Sequence, residues 1–179
     1  MIKVYKTKFK GLLILKGKKY KDNRGYLREM LREEKIGEKF KFQILSKSKK
    51  NVLRGLHFQL KKPQAKHISV IKGQILDVAV DLRKKSKTFG KSYSVLLTEK
   101  NCKSVFIPKG FAHGFLTLGH ENIVCYSCTE YRSVGNEYSL SYKDPFLKIK
   151  WPKVKLVTTK KYALAKNLIE LINDKIILI

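Results

Sequence analysis

Residues 51–60, NVLRGLHFQL, place a histidine within a pattern typical of a β-strand. Successive side chains of a strand point to opposite faces, so Leu53, Gly55, His57 and Gln59 share one face. An imidazole with a pKa of about 6.5 can accept a proton at neutral pH and could act as a general base. The same histidine could instead be packed and hydrogen-bonded in a core. The strand pattern alone does not separate these two interpretations.

The cysteines do not complete a metal-binding pattern. Cys125 and Cys128 have the spacing of half a zinc site, but no second pair of ligands follows at a suitable distance. On a strand these two side chains would point to opposite faces. We therefore expect both, together with Cys102, to be ordinary reduced thiols.

The elements that must position these residues are mostly strands. The segments HISVIKGQILDVAVDL, KSYSVLL, KSVFIPKGFAHGFLTLG and NIVCYSCTEYR each have strand patterns, and the first breaks at Lys72-Gly73. Short strands separated by Gly and Pro, without intervening helices, predict an all-β sandwich or barrel. Leucines at helical spacing in TTKKYALAKNLIELIND predict one C-terminal helix at about 159–174, with Thr158 or Thr159 as its N-cap.

Length and composition predict one domain covering residues 1–179, since 43% of the residues are hydrophobic. No apolar run is long enough to cross a bilayer, and lysines interrupt the N-terminal residues, so we expect a cytoplasmic protein. The 40 Lys and Arg against 14 Asp and Glu give a net charge of +26. Because they are spread from Lys3 to Lys175 without a nucleic-acid-binding motif, we predict no specific nucleic-acid partner and no membrane partner.

Five motifs follow one another along the chain: NVLRGLHFQ, GQILDVAVDLR, KTFG, IPKGFAHGF and KDPFLKIKWP. In this order and spacing they resemble the dTDP-4-dehydrorhamnose 3,5-epimerase (RmlC) family of the cupin superfamily, over about residues 1–152. The resemblance implies a double-stranded β-helix (a jelly roll, or cupin barrel), a homodimer, and a nucleotide-sugar site inside the barrel. The family works without metal, and this chain lacks the His-x-His pair of many cupins. We therefore predict no metal and no cofactor.

The resemblance also implies a proton-transfer site. His57 falls on the family's base, Tyr126 on its proton donor, and Lys66 on a lysine that can stabilise charge on an enolate oxygen. In a 4-keto sugar the hydrogens at C3 and C5 flank the carbonyl, so a base on one side and an acid on the other can invert either carbon through an enolate. The other residues on family substrate-binding positions are Arg24, Glu29, Gln43, Arg54, His113, Tyr131, Arg132 and Glu137.

Two departures from the family pattern concern the nucleotide. Polar residues usually follow the family's glutamine, whereas here Gln43 precedes Ile44 and Leu45, with one residue apparently missing. Where the family has two tyrosines, the second of which stacks on thymine, this chain has Tyr131 and Arg132. A different base such as guanine, or a different sugar such as a heptose, therefore stays open.

The third departure concerns the base. Where the family often has an aspartate that partners the catalytic histidine, this chain has Lys161. A base without its orienting carboxylate should be weaker unless Asp77 or a backbone carbonyl takes over; alternatively, the alignment has slipped in this tail. In addition, Arg54 lies three residues before His57, which puts the two on opposite faces of a regular strand. Their shared role predicts a local bulge, or a site built from more than one strand.

The sequence thus predicts a metal-independent isomerase that inverts C3 and C5 of a nucleoside-diphosphate 4-keto-6-deoxy sugar. Alternatives within the same fold are an epimerase acting at C3 alone, an epimerase of another sugar nucleotide such as a GDP-heptose, and a sugar 3,4-ketoisomerase. The non-enzymatic alternative is a basic binding module that has kept the barrel and lost catalysis.

Overall fold

In a computed structural model, which describes residues 2–177, the chain forms two antiparallel β-sheets with a hydrophobic core between them. The predicted all-β jelly roll is confirmed. The six-stranded sheet has the order β1 (Lys3–Lys6), β2 (Leu13–Lys16), β10 (Lys103–Ile107), β7 (Lys66–Lys72), β12 (Glu121–Cys128) and β5 (Phe42–Lys49). The five-stranded sheet has the order β13 (Glu137–Ser139), β6 (Leu53–Gln59), β11 (Phe111–Thr117), β8 (Gln74–Asp81) and β9 (Ser92–Thr98).

A separate hairpin and three short 3-10 helices complete the first 150 residues. The hairpin pairs β3 (Lys19–Asp22) with β4 (Gly25–Arg28) around an Asp-Asn-Arg-Gly turn. The 3-10 helices are Glu33–Lys35, Val134–Asn136 and Pro145–Leu147.

Alternating side chains on β11 show how the core is divided. Phe111 and Phe115 point between the two sheets, where they pack with Ile68 of β7. Ala112 and Leu116 point the other way, into a second cluster that the C-terminal segment covers. Because every second residue faces the inter-sheet space, His113 also points into the barrel.

The C-terminal region contains two short helices, α1 (Lys160–Ala163) and α2 (Leu168–Asn173), so the single helix predicted at about 159–174 is wrong. Leu164 ends α1 and is 82% exposed, so it does not share a buried face with the leucines that follow it. Asn167 then starts a new helix through a capping box with Glu170. Thr159 stands at the N-cap of α1, but its side chain makes no capping hydrogen bond.

Candidate active site

A change of register brings His57 and Arg54 to the same cavity. Strand β11 pairs His113 with His57 and Phe115 with Arg54, so two residues of β6 lie opposite one residue of β11. This is the bulge that the spacing of Arg54 and His57 predicts. The extra residue between them lets both side chains point to the same side of the sheet. The backbones approach closely there, because Gly55 has a φ of +109° and a Cβ built on it would lie 2.6 Å from the Cα of Gly114.

The cavity is about 340 Å³ in volume and lies between the two sheets. His57 enters it from the five-stranded sheet, whereas Tyr126 and Lys66 enter it from the six-stranded sheet. It is lined by Phe42, Ile44, Ser46, Arg54, His57, Phe58, Gln59, Gln64, Lys66, Tyr126, Cys128, Arg132, Glu137 and Tyr162. Six of the predicted site residues are among them: His57, Tyr126, Arg54, Lys66, Arg132 and Glu137.

The His57 imidazole lies between two other rings. Its centroid is 6.2 Å from that of Tyr162, at 29° between ring planes, and 6.0 Å from that of His113, at 77°. Burial, together with the positive charges of Lys66 and other nearby cations, holds the pKa of His57 well below its usual value. The imidazole is therefore neutral, and able to accept a proton, at neutral pH.

Asp77 does not orient His57. Its Oδ2 lies 2.8 Å from Nε2 of His113, and both side chains are buried. The Nδ1 atom of His57 is itself buried and has no hydrogen-bond partner within residues 2–177, so no backbone carbonyl takes this role either. His113, predicted to bind substrate, lines an adjoining cavity of about 350 Å³ that shares Lys66 with the first.

Tyr126 and Lys66 face the cavity from neighbouring strands. The Tyr126 hydroxyl lies 3.2 Å from the Ser46 hydroxyl, and burial raises the pKa of Tyr126 far above its usual value. Burial also lowers the pKa of Lys66, which the nearby Cys128 and Glu137 partly oppose. The cavity therefore holds a protonated phenol and a desolvated amine on the wall opposite His57.

Two of the departures from the family pattern meet at one carboxylate. Glu137 accepts hydrogen bonds from Arg132 Nε, at 2.7 Å, and from Lys161 Nζ, at 3.1 Å. Burial alone would raise the pKa of Glu137, but these two hydrogen bonds keep that pKa below its usual value. The Tyr131 ring is 60% exposed and stacks on Phe42, with centroids 5.3 Å apart.

Besides His113 and Tyr131, three further predicted binding residues do not line the cavity. Strand β5 pairs with β12 without a break, and Gln43 faces outward, where its Nε2 donates to the Ser127 hydroxyl at 3.2 Å. Because side chains alternate along β5, Phe42 and Ile44 point inward and line the cavity. Arg24 is exposed and pairs with Asp22 in its own hairpin, and Glu29 pairs with Arg32.

The sequence reasoning missed Ser46 and Tyr162 in the cavity. Ser46 could have been found by counting every second residue along β5 from Phe42, since these residues share a face. Tyr162 carries no comparable signal, because its position depends on a four-residue helix that packs against β6.

The described part of the chain contains no candidate metal cluster and no candidate membrane span. No three His, Cys, Asp or Glu side chains there could together hold a metal ion. No helix within residues 2–177 is both long and apolar enough to span a membrane.

Comparison with known proteins gives a consistent match. A family model described as dTDP-4-dehydrorhamnose 3,5-epimerase matches residues 6–170. The chain belongs to this family of isomerases. It is 45% identical to the dTDP-4-dehydrorhamnose 3,5-epimerase of Methanothermobacter thermautotrophicus over 152 residues, which are 82% of each chain. It is 35% identical to that of Escherichia coli over 182 residues, covering 97% of this chain and 98% of the relative.

The fold agrees with solved members of the epimerase family. The structure of dTDP-6-deoxy-D-glucose-3,5-epimerase from Legionella pneumophila, in complex with dTDP-4-keto-L-rhamnose, superposes with a TM-score of 0.93. It is 38% identical, and the match covers 99% of this chain and 97% of that one.

Proposed function

We propose that this protein is a 3,5-epimerase of a nucleoside-diphosphate 4-keto-6-deoxy sugar, with dTDP-4-dehydrorhamnose as its substrate. The observation that carries the proposal is the placement of His57 and Tyr126 on opposite sheets around one cavity, with Lys66 beside the tyrosine. A sugar ring held between the sheets would meet a base on one face and an acid on the other. Inversion of a carbon needs this arrangement.

The chemistry proceeds through an enolate. The neutral imidazole of His57 removes the proton at C3 or C5, and the electrons of the broken C–H bond move onto the C4 carbonyl oxygen. The Lys66 ammonium stabilises the negative charge on that oxygen. Tyr126 then donates its phenolic proton to the opposite face of the carbon, and proton exchange with solvent restores both residues. Repetition at the second carbon completes the double epimerisation.

Arg54 and Arg132 line the cavity and supply positive charge of the kind that a diphosphate requires. The guanidinium of Arg54 lines the cavity near Ser46, and its Nε donates to the Ser48 hydroxyl at 3.0 Å. A fixed, planar guanidinium can bind two phosphate oxygens at once. These contacts support a nucleotide-linked sugar over a free sugar as substrate.

The nucleobase is the less constrained part of the substrate. At two positions where the family has polar and aromatic residues, this chain has Ile44 and Arg132. Ile44 lines the cavity, and Arg132 bonds to Glu137. Because these two positions differ from the family, guanosine should be tested alongside thymidine. The reaction type depends on His57 and Tyr126. A metal-independent reaction and a cytoplasmic location remain predictions from the sequence.

The experiment is proton NMR of the purified protein in deuterated water, with 4-keto-6-deoxy sugar nucleotides in thymidine and guanosine forms. Deuterium entering both C3 and C5 of the thymidine form is the expected result. Entry at C3 alone would identify the single-site epimerase, and a preference for the guanosine form would reassign the nucleotide. Absence of exchange in both forms would contradict the proposal and favour the non-catalytic binding module.

The homodimer belongs to the same proposal. Arg24 and Glu29 lie in and just after the β3–β4 hairpin, outside the cavity of their own chain. The hairpin exposes Leu27, at 75%, and Tyr26, at 49%. Packing of this apolar surface on a second copy would bury both side chains and carry Arg24 toward the partner.

Light scattering of the wild type and of Leu27→Asp tests the dimer. We expect the mass of a dimer for the wild type and of a monomer for the variant, because the aspartate would be buried without a partner. A monomeric wild type at micromolar concentration would contradict the dimer. An unchanged dimer in the variant would place the interface elsewhere.

A further inference from the structure

Within residues 2–177, no atom makes the hydrogen bond to His57 Nδ1 that would usually orient a catalytic histidine. A catalytic imidazole is commonly held by a bond at the nitrogen that does not face the substrate. Here Nδ1 is buried, and none of the atoms in residues 2–177 bonds to it. The position where the family often has an aspartate carries Lys161, whose ammonium bonds to Glu137. Something other than a carboxylate must hold the ring.

Two rings confine the imidazole. Tyr162 lies nearly parallel to it, at 29° between ring planes, while His113 presents an edge at 77°. His113 is itself fixed by its bond of 2.8 Å to Asp77. Parallel offset and edge-to-face contacts are the favoured geometries of aromatic pairs. Tyr162 and the bonded His113 therefore flank the imidazole on two sides and restrict its rotation.

The short helix that carries Tyr162 is anchored to the strand beside His57. Lys161 Nζ donates to Glu137 Oε1 at 3.1 Å, and Glu137 lies opposite Gln59 in the pairing of β13 with β6. Arg132 holds the second oxygen of Glu137 at 2.7 Å. The lysine that replaces the family's aspartate thus ties α1 to the sheet edge from which His57 projects.

We propose that Tyr162 is a positioning residue for His57, whose imidazole plane is held by ring stacking instead of by a hydrogen bond at Nδ1. The inference rests on the proposed function, since it takes His57 as the base. Tyr162 also excludes water from the imidazole. The charged and titratable groups that act on His57 from the surrounding elements are Lys66 on β7, His113 on β11, Arg132 before β13 and Lys161 on α1.

The first test is NMR of the histidine rings of the free protein, which needs no substrate. We expect nuclear Overhauser contacts between the rings of Tyr162 and His57 in the wild type. We expect Tyr162→Ala to raise the pKa of His57 by about one unit or more, because water then reaches the imidazole. Tyr162→Phe, which keeps the ring, should leave this pKa close to the wild-type value. Absence of the ring contacts, or an equal pKa in all three proteins, would overturn the proposal.

The second test is steady-state kinetics of the same proteins, with Lys160→Met as the matched control. Lys160 is an exposed neighbour on α1. Tyr162→Ala should lower kcat on the order of 10- to 100-fold with little change in KM, as expected for a misplaced base. Tyr162→Phe and Lys160→Met should retain wild-type kcat. A raised KM with unchanged kcat would overturn the proposal, because Tyr162 would then only bind substrate.

The two tests separate the inference from the proposed function. An inactive wild type with the expected ring contacts and pKa change would refute the epimerase assignment and support the positioning of His57 by Tyr162. An active wild type whose Tyr162→Ala variant has unchanged kcat would support the epimerase and refute the positioning role.

Discussion

Replacement of Gly55 by alanine tests the close approach of β6 and β11 that presents His57 to the cavity. A residue with a side chain is strained at a φ of +109°, which costs about 1–3 kcal/mol. The new Cβ would also lie 2.6 Å from both the Gly114 Cα and the His113 carbonyl oxygen, which are backbone atoms. Overpacking of this kind costs a further 1–3 kcal/mol or so. We therefore expect Gly55→Ala to lower the free energy of unfolding by about 2–6 kcal/mol.

Urea denaturation at pH 7 measures this change, with Gly135→Ala as control. A Cβ on Gly135 would meet nothing within 4 Å, so the control should stay within about 0.5 kcal/mol of wild type. The loss expected for Gly55→Ala is a large part of the 5–15 kcal/mol that typically stabilises a domain. A Gly55→Ala protein within about 1 kcal/mol of wild type would refute the reasoning. It would mean that the two strands can separate there without loss of packing.

Three further predictions concern individual side chains. His57→Ala should reduce turnover on the order of 10²- to 10⁴-fold in a folded protein, as expected for loss of a general base, and an unchanged rate would contradict this role. Tyr126→Phe should abolish product formation but retain deuterium exchange at C3, measured by NMR, and normal product formation would exclude Tyr126 as the donor. Burial lowers the pKa of His67 from 6.5 to about 4, so the unfolded state binds a proton more readily and stability falls as the pH drops from 6.5 to 4. At 1.36 kcal/mol per pH unit the loss from His67 reaches about 3 kcal/mol, and urea denaturation of His67→Gln should show a smaller acid loss than wild type; an equal loss would contradict this prediction.

Strand alternation predicted most of the barrel. The bulge between Arg54 and His57 follows from which side chains must share a face, and the break at Lys72-Gly73 separates β7 from β8 as expected. The assignment of Gln43 to the site rested on the family resemblance, and Gln43 is not among the residues that line the cavity. Its neighbours Phe42 and Ile44 line the cavity instead.

Strand and helix patterns in the sequence do not predict contacts between distant segments. The pairing of Asp77 with His113 depends on the register of β8 against β11. The stacking of Tyr162 on His57 depends on where α1 ends and on the bond between Lys161 and Glu137. The spacing of leucines cannot reveal that Asn167 starts a second helix through its own capping box.

The hydrophobic core fixes the separation between the two sheets that hold His57 and Tyr126. Stacked sheets lie about 10 Å apart, and two side chains projecting into that gap leave the thickness of about one sugar ring. Phe115 packs in the gap with its ring centroid 6.0 Å from that of Tyr126. Interior residues such as Phe115 thus set the separation between His57 and Tyr126, and selection for a sugar of different thickness could act on the core of the barrel.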